Sequence, residues 1–184
     1  MKKLLLLGCI FVISVFSISC NYNQIGDKVV ITKNDTGENN ISGMGIDYQI
    51  KNITKGKYNV SLYSKEFKKG NFEKEERLYN TTLTCDKNVD KINLSIYQEN
   101  ENIKVYLGDS DINTITSDFF KNTSGIALFG LDTEKEIIIN NELPIIGYII
   151  GDDVKNVQST NIDEIFKHKS TGEIVIYLKI SDTK

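Results

Sequence analysis

The feature that most constrains the fold of this chain is a two-residue alternation of apolar and polar side chains. Ile92, Leu94 and Ile96 alternate with polar residues, and residues 103–107 repeat the pattern after the polar segment 99–102. Alternation with a period of two is typical of a strand with one buried face. A short polar segment between two such runs predicts a hairpin. The chain therefore contains antiparallel strands joined by tight turns.

The same alternation recurs through most of the chain from residue 46 onward. The segment 68–71, Lys-Lys-Gly-Asn, predicts another hairpin turn. About eight or nine short strands without intervening helices predict an all-β fold, an antiparallel β-sandwich of immunoglobulin-like or related type. The further predicted strands are residues 46–50, 58–62, 126–129, 135–139, 143–150 and 173–180.

One short helix is predicted near the C-terminus. Asn161 and Glu164 have the spacing of a capping box, in which each side chain satisfies a backbone amide at the start of a helix. Ile162, Ile165 and Phe166 follow with helical spacing. We therefore expect about two helical turns with these three side chains on the apolar face.

The N-terminus has the features of an export signal. Lys2 and Lys3 precede an apolar run at residues 4–18, which is shorter than the roughly 20 residues that a bilayer-spanning helix needs. A positive start followed by a short apolar run is typical of a secretory signal peptide. The run ends in Ser17-Ile18-Ser19-Cys20, which resembles the lipobox of bacterial lipoproteins, with Ser17 where most lipoboxes have Leu.

This resemblance implies cleavage between Ser19 and Cys20 and a diacylglyceryl thioether on Cys20. Two alternatives stay open. One is an uncleaved anchor helix, and the other is cleavage at a second lipobox-like segment before Cys9, which leaves only residues 4–7 as the apolar run. The resemblance predicts attachment to a cell membrane through lipid, on the extracytoplasmic side.

The chain divides into three predicted parts. Residues 1–19 form the signal peptide, residues 20–45 form the lipidated N-terminus and a flexible tether, and residues 46–184 form the β-sandwich domain. The polar segment 33–40 supports a tether. The β-branched residues within 28–32 leave open that a first strand lies here instead.

The net charge of the chain disfavours some classes of binding partner. The chain has 22 Lys and Arg against 25 Asp and Glu, a net charge of −3. Removal of the signal peptide takes away two lysines and lowers the net charge to −5. Nucleic-acid binding is therefore disfavoured, because phosphate contacts need a basic surface. On the same net charge, we expect no attraction to anionic lipid beyond the anchor itself.

A catalytic site is limited by the single histidine, His168. Gly108-Asp109-Ser110 resembles the nucleophile segment of GDSL-type esterases, but the Asp-x-x-His segment that supplies their base has no counterpart here. Cys85 and His168 are the only thiol–imidazole pair left after processing. A hydrolase that uses Ser110 or Cys85 with His168 is the alternative, and the sequence favours a protein without enzymatic activity or cofactor.

One loop has the oxygen spacing of a calcium site. Asp109, Asp111 and Asn113 alternate as in an EF-hand, but that loop needs Gly and Glu where this chain has Thr114 and Phe120. We predict no resident metal. Asp109, Asp111 and Asn113 are the candidate ligands for a second alternative, a calcium-dependent adhesion module.

Residues 65–77 form a dense run of mixed charge. We expect a solvated hairpin that protects a sheet edge, and a partner-binding hairpin is the alternative. The anchor and the lack of a convergent catalytic set together predict a non-enzymatic binding module at the bacterial cell envelope. Its partners are then the membrane, through the lipid anchor, and a protein, peptide or wall polymer.

Overall fold

A computed structural model of the chain describes residues 28–34, 43–108, 113–121, 125–151, 154, 160–168 and 170–183. Eleven strands lie within these segments and dominate them, which confirms the predicted all-β class. The same segments hold 3₁₀ helices at Asp118–Phe120 and Ile162–Lys167, and none of their helices has the length and apolar character needed to cross a bilayer. The strands are β1 (Val30–Lys33), β2 (Met44–Ile53), β3 (Gly56–Lys68), β4 (Asn71–Cys85), β5 (Val89–Glu99), β6 (Asn102–Leu107), β7 (Asn113–Thr116), β8 (Ile126–Gly130), β9 (Lys135–Glu136), β10 (Glu142–Ile150) and β11 (Gly172–Asp182).

The strands form two antiparallel sheets that share one core. Sheet A has the strand order β7-β6-β5-β2-β1-β9, and sheet B has the order β4-β3-β11-β10-β8. Apolar residues of both sheets fill the space between them. The predicted antiparallel sandwich is therefore confirmed, and its relation to the immunoglobulin type stays a prediction.

Two buried tyrosines tie the sheets together. The Tyr48 hydroxyl on β2 donates a hydrogen bond to the Ile145 carbonyl on β10 at 2.5 Å and accepts one from the Leu131 amide at 3.4 Å. The Tyr148 hydroxyl on β10 donates in return to the Met44 carbonyl on β2 at 3.2 Å. Burial raises the pKa of both hydroxyls, so they stay protonated and can donate these bonds.

The connections between strands define two ends of the sandwich. At the crossover end, residues 54–55 lead from β2 to β3 and residues 86–88 lead from β4 to β5. The Lys55 amide donates to Asn88 Oδ1 at 2.9 Å and joins these two connections. At the hairpin end, β3 turns directly into β4. Because β3 has 13 residues, the two ends lie about 40 Å apart.

Residues 28–34 belong to the domain. Strand β1 pairs with β2 on one side and with β9 on the other, and Ile31 is fully buried opposite Ile50. The apolar, β-branched side chain of Ile31 fills a core position, which a solvated tether does not require. A first strand, which the sequence left open for residues 28–32, is present at Val30–Lys33. Lys28 places the start of this segment at the crossover end.

The predicted C-terminal helix is present as a short 3₁₀ helix, Ile162–Lys167. Asn161 is its N-cap, as predicted, and its Oδ1 accepts a hydrogen bond from the Asp163 amide at 2.9 Å. Glu164 pairs with Lys167 at 3.1 Å. The helix packs on the outer face of sheet B, against β10 and β8.

The geometry of this helix corrects one prediction about its apolar face. With about three residues per turn, side chains three apart share a face. Ile162 and Ile165 are buried, and both lie against Gly147, where a Cβ would stand 2.8 and 2.3 Å from their Cδ1 atoms. Phe166 lies off this face and is 51% exposed, so its predicted place on the buried face was wrong.

Candidate functional site

The hairpin end is a tight turn that projects into solvent. Lys69 and Gly70 have φ values of 52° and 78°, and two positive φ values are typical of a two-residue type I′ turn. A Cβ at Gly70 would meet nothing within 4 Å. The turn predicted at residues 68–71 is confirmed, and it exposes the charged first half of β4.

An open groove of about 430 Å³, here called the hairpin groove, lies beside this turn. The hairpin contributes charged residues, including Glu66 and Lys74. Phe119, Ile150 and Gly172 contribute apolar surface from the other side. A Cβ at Gly172 would lie 3.2 Å from the Phe119 ring, so the glycine allows Phe119 to pack closely over β11.

Phe119 is held in place by an aromatic chain that leads into the core. Its ring makes an edge contact with Phe120 at a centroid distance of 5.1 Å. Phe120 is buried and makes a similar contact with Tyr148 at 5.4 Å. The Ser117 hydroxyl accepts a hydrogen bond from the Phe119 amide at 3.2 Å and fixes the start of this 3₁₀ helix. The apolar side of the groove is therefore preorganised.

Three phenylalanines form a second surface at the same end, here called the phenylalanine patch. The Phe67 ring makes edge contacts with Phe72 at 6.0 Å and with Phe166 at 4.9 Å. Phe72 is 58% exposed and Phe166 is 51% exposed. Clustered exposed aromatic side chains mark interaction surfaces more often than single ones do.

The charges around the hairpin groove are unevenly paired. Lys74 bridges to Glu66 at 3.0 Å, and this hydrogen bond raises the pKa of Lys74. The Ser117 hydroxyl donates to the same carboxylate at 3.3 Å. Within the described segments Lys68 and Lys69 form no ion pair, and both are exposed. The groove therefore combines the exposed Lys68 with a carboxylate that is paired with Lys74, and Lys69 lies next to Lys68 on the turn.

A buried carboxylate supports the turn from below. Glu173 on β11 is only 3% exposed and lies opposite Phe67 on β3. It accepts a hydrogen bond from the Gly70 amide at 3.4 Å and another from the Ser170 hydroxyl. Glu173 thus fixes the position of the hairpin turn relative to the neighbouring strand.

The structure separates the two residues of the predicted thiol–imidazole pair. Cys85 ends β4 in the core and is 4% exposed, and burial raises the pKa of its thiol, with a smaller contribution from Asp86. The His168 ring packs on Phe129 of β8, at a centroid distance of 5.3 Å. Strands β4 and β8 are the two edges of sheet B, four strand spacings or roughly 19 Å apart. Cys85 and His168 therefore do not form a catalytic pair.

Other predicted site residues lie outside the part of the chain that the structure describes. These are Cys20, Asp109, Ser110 and Asp111. Asn113 opens β7, but its side chain is likewise outside that part. The described residues contain no group of three or more His, Cys, Asp or Glu side chains that could hold a metal ion. The lipobox, the serine and the calcium loop stay predictions.

Sequence reasoning missed the aromatic members of the site. Phe67 and Phe72 flank the turn symmetrically, and this spacing in the sequence could have indicated that they share a face. Phe166 could not be assigned, because its position depends on how the 3₁₀ helix lies on sheet B. Phe119 enters the groove from a segment far along the chain and has no local signal.

The chain matches no protein-family model, no curated protein and no solved structure.

Proposed function

We propose that this protein is a lipid-anchored, non-enzymatic binding module of the bacterial cell envelope, and that the hairpin end carries its ligand site. One observation carries this proposal: the hairpin groove and the phenylalanine patch meet at Phe67, about 40 Å from the end where Lys28 enters the domain. A module held at its N-terminal side would present this end to its surroundings.

The anchor part of the proposal rests on Cys20 and on the short distance to the domain. Lys28 lies eight positions after Cys20, and a fully extended chain over eight positions spans at most about 29 Å. The strand β1 shortens the predicted tether, so the crossover end would lie close to the membrane. Two acyl chains would hold the module there stably.

The ligand we propose is a protein segment that carries apolar and acidic side chains. Phe119 and the phenylalanine patch offer apolar surface without the hydrogen-bonding groups of Tyr or Trp. Lys68 and Lys69 offer two cations that are unpaired within the described segments, against the exposed carboxylate of Glu73 on the same hairpin. A wall polymer is the other outcome that the binding test distinguishes.

The proposal includes the absence of enzymatic activity, and this part rests on the burial of the Cys85 thiol. Burial of Cys85 disfavours the thiolate that a nucleophile requires, and the single imidazole packs against Phe129 at the opposite edge of sheet B. A binding role uses the preorganised surface of the hairpin end without either residue.

Mass spectrometry of the membrane form tests the anchor. We expect an N-terminal peptide that begins at Cys20 and carries a diacylglyceryl group. A retained signal segment or an unmodified Cys20 would refute the lipid anchor.

Selection of displayed peptides against the purified protein tests the ligand site. We expect selected peptides to combine an aromatic or aliphatic residue with acidic neighbours. Phe119→Ala should weaken their binding at least about tenfold, because it removes the aromatic side chain from the apolar side of the groove. Ile138→Ala, which truncates an exposed apolar side chain at the crossover end, is the control and should leave binding unchanged. Binding of wall polymer in place of peptides, or equal binding to both variants, would overturn the peptide site.

A further inference from the structure

The crossover end carries a concentration of lysines that the net charge of the chain hides. They lie in three places: just before β1, on the strands next to the crossovers, and in the crossovers themselves. Five are exposed, and Lys51 is half-buried. Together they form the lysine end, which consists of Lys28, Lys51, Lys55, Lys57, Lys87 and Lys91.

Within the described segments, these lysines outnumber the carboxylates at the same end. Among the described residues, the same end carries Asp86, Asp90, Glu136 and Asp182. Only Lys28 is engaged in an ion pair within the described segments, with Glu136 at 2.7 Å. The other five lysines keep their charge available, although the whole chain has a net charge of −3.

Two of the lysines face each other directly. Lys51 on β2 and Lys91 on β5 are cross-strand partners on one face of sheet A. Like charges at directly opposite positions destabilise a sheet. An external anion between the two ammonium groups would relieve this repulsion, so the arrangement favours an anionic partner.

The lysine end lies at the N-terminal side of the domain, where the proposed anchor would bring it close to lipid headgroups. Lys28 begins the described part of the domain, and Asn52 Nδ2 donates to its carbonyl at 3.1 Å. Ile138 lies at the same end, because the Ile137 amide bonds to the Val29 carbonyl at 2.8 Å, and Ile138 is 59% exposed. An exposed apolar side chain among lysines suits the boundary between lipid headgroups and acyl chains.

We infer that the lysine end docks on anionic phospholipid headgroups and orients the domain, so that the hairpin end points away from the membrane. This inference rests on the proposed anchoring at the N-terminal side. One acyl signal combined with a basic patch is a common way to hold a protein on an anionic surface. The expectation from net charge alone, that lipid does not attract the domain, overlooks this uneven distribution.

Tryptophan fluorescence of the full chain in vesicles tests the orientation, since the chain has no Trp of its own. Ile138→Trp and Phe72→Trp place one probe at each end, at positions that are 59% and 58% exposed. In vesicles that contain phosphatidylglycerol and a brominated lipid, we expect strong quenching at position 138 and little at position 72. In phosphatidylcholine vesicles, quenching at position 138 should fall roughly twofold or more.

Charge reversal at each end provides the matched variants. Lys55→Glu with Lys87→Glu should reduce the quenching at position 138, and so should about 1 M salt, where the Debye length is about 3 Å. Lys68→Glu with Lys69→Glu makes the same change in charge at the hairpin end and should have no effect. Equal quenching at the two positions, no dependence on anionic lipid, or equal effects of the two double variants would overturn the inference.

Different measurements test the inferred orientation and the proposed anchor, so the failure of one can be told from the failure of the other. Mass spectrometry of the same preparation reports the lipid on Cys20 alone. The quenching pattern reports orientation alone, because either an acyl group or an uncleaved apolar segment at the N-terminal side would hold the chain on the vesicle.

Discussion

Apart from Lys68 and Lys69 at the turn itself, the lysines near the hairpin end differ from those at the crossover end in what they contact. Lys65 binds Glu142 at 2.6 Å and Glu75 at 3.5 Å, and its ammonium group lies 4.5 Å from the centre of the Tyr177 ring. Lys74 binds Glu66. At the crossover end, five of the six lysines have no ion pair within the described segments.

This difference separates two uses of the same side chain. Where a lysine bridges strands of one sheet, as Lys65 on β3 bridges to β4 and, across β11, to β10, it contributes to the stability of the fold. Where lysines surround one end without internal partners, they contribute little to stability and stay available to an anionic surface. Net charge averages over both groups and therefore misses the second.

Among the variants considered at the two ends, loss of the carboxylate beneath the hairpin turn should have the largest effect on stability. Glu173→Ala should lower the free energy of unfolding by about 1–3 kcal/mol, because the Gly70 amide and the Ser170 hydroxyl lose a buried acceptor. Denaturant unfolding measures this change, and hydrogen exchange at Gly70 should accelerate. Glu73→Ala removes an exposed carboxylate of the same hairpin and should change stability by at most about 0.5 kcal/mol. Similar losses in both variants would contradict a supporting role for Glu173.

Replacement of Lys65 should have a smaller effect on the free energy of unfolding, and this effect should depend on pH. The hydrogen bond to Glu142 raises the folded-state pKa of Lys65 above its ordinary value of 10.5. Its pairing therefore contributes fully below pH 10.5 and is lost as the pH rises through the folded-state pKa. Lys65→Met should lower the free energy of unfolding at neutral pH by up to about 1 kcal/mol.

Unfolding measured from neutral pH to above 10.5 tests the Lys65 prediction. The difference between the wild-type protein and Lys65→Met should shrink over the alkaline part of this range. Lys57→Met at the crossover end removes a lysine without an ion pair in the described segments, so it should show no such trend. A difference for Lys65→Met that stays constant with pH would mean that its methylene chain, and not its charge, stabilises the sheet.

The smallest expected effect has the opposite sign. Lys51→Glu places a carboxylate opposite Lys91 and should raise the free energy of unfolding by about 0.2–1 kcal/mol, because an attraction replaces a like-charge pair. Thermal unfolding at low ionic strength measures this gain. The same variant should dock less well on anionic vesicles. Reduced stability would show that the two ammonium groups do not repel each other in the folded protein.

Much of the fold could be predicted from the sequence because alternation and turn chemistry are local signals. The turns at 68–71 and 99–102 form as expected, and the strands at 126–129, 143–150 and 173–180 lie close to their predicted bounds. The strand predicted at 135–139 is only Lys135–Glu136, since pairing with the four-residue β1 limits its length. Which strands share a sheet could not be predicted, because local patterns do not encode long-range pairing.

The candidate site was less predictable than the fold. The charged hairpin was recognised as an alternative binding element, but its aromatic residues were not. Phe119 and Phe166 reach the hairpin end only through the packing of two 3₁₀ helices, whose positions depend on contacts such as those of Ile165 with Gly147. The lysine end was missed for the same reason, since its members are scattered between residues 28 and 91 and meet only after folding.

The place of β1 between β2 and the edge strand β9 of sheet A has a mechanical consequence. Its first residue, Val30, lies at the crossover end, and the strand is bonded to β2 on one side and to β9 on the other. Tension applied through the preceding residues would pull along the strand axis, perpendicular to these hydrogen bonds. The bonds would then bear the load together in shear instead of opening one at a time, so the domain would resist detachment at the point where its N-terminal side is pulled.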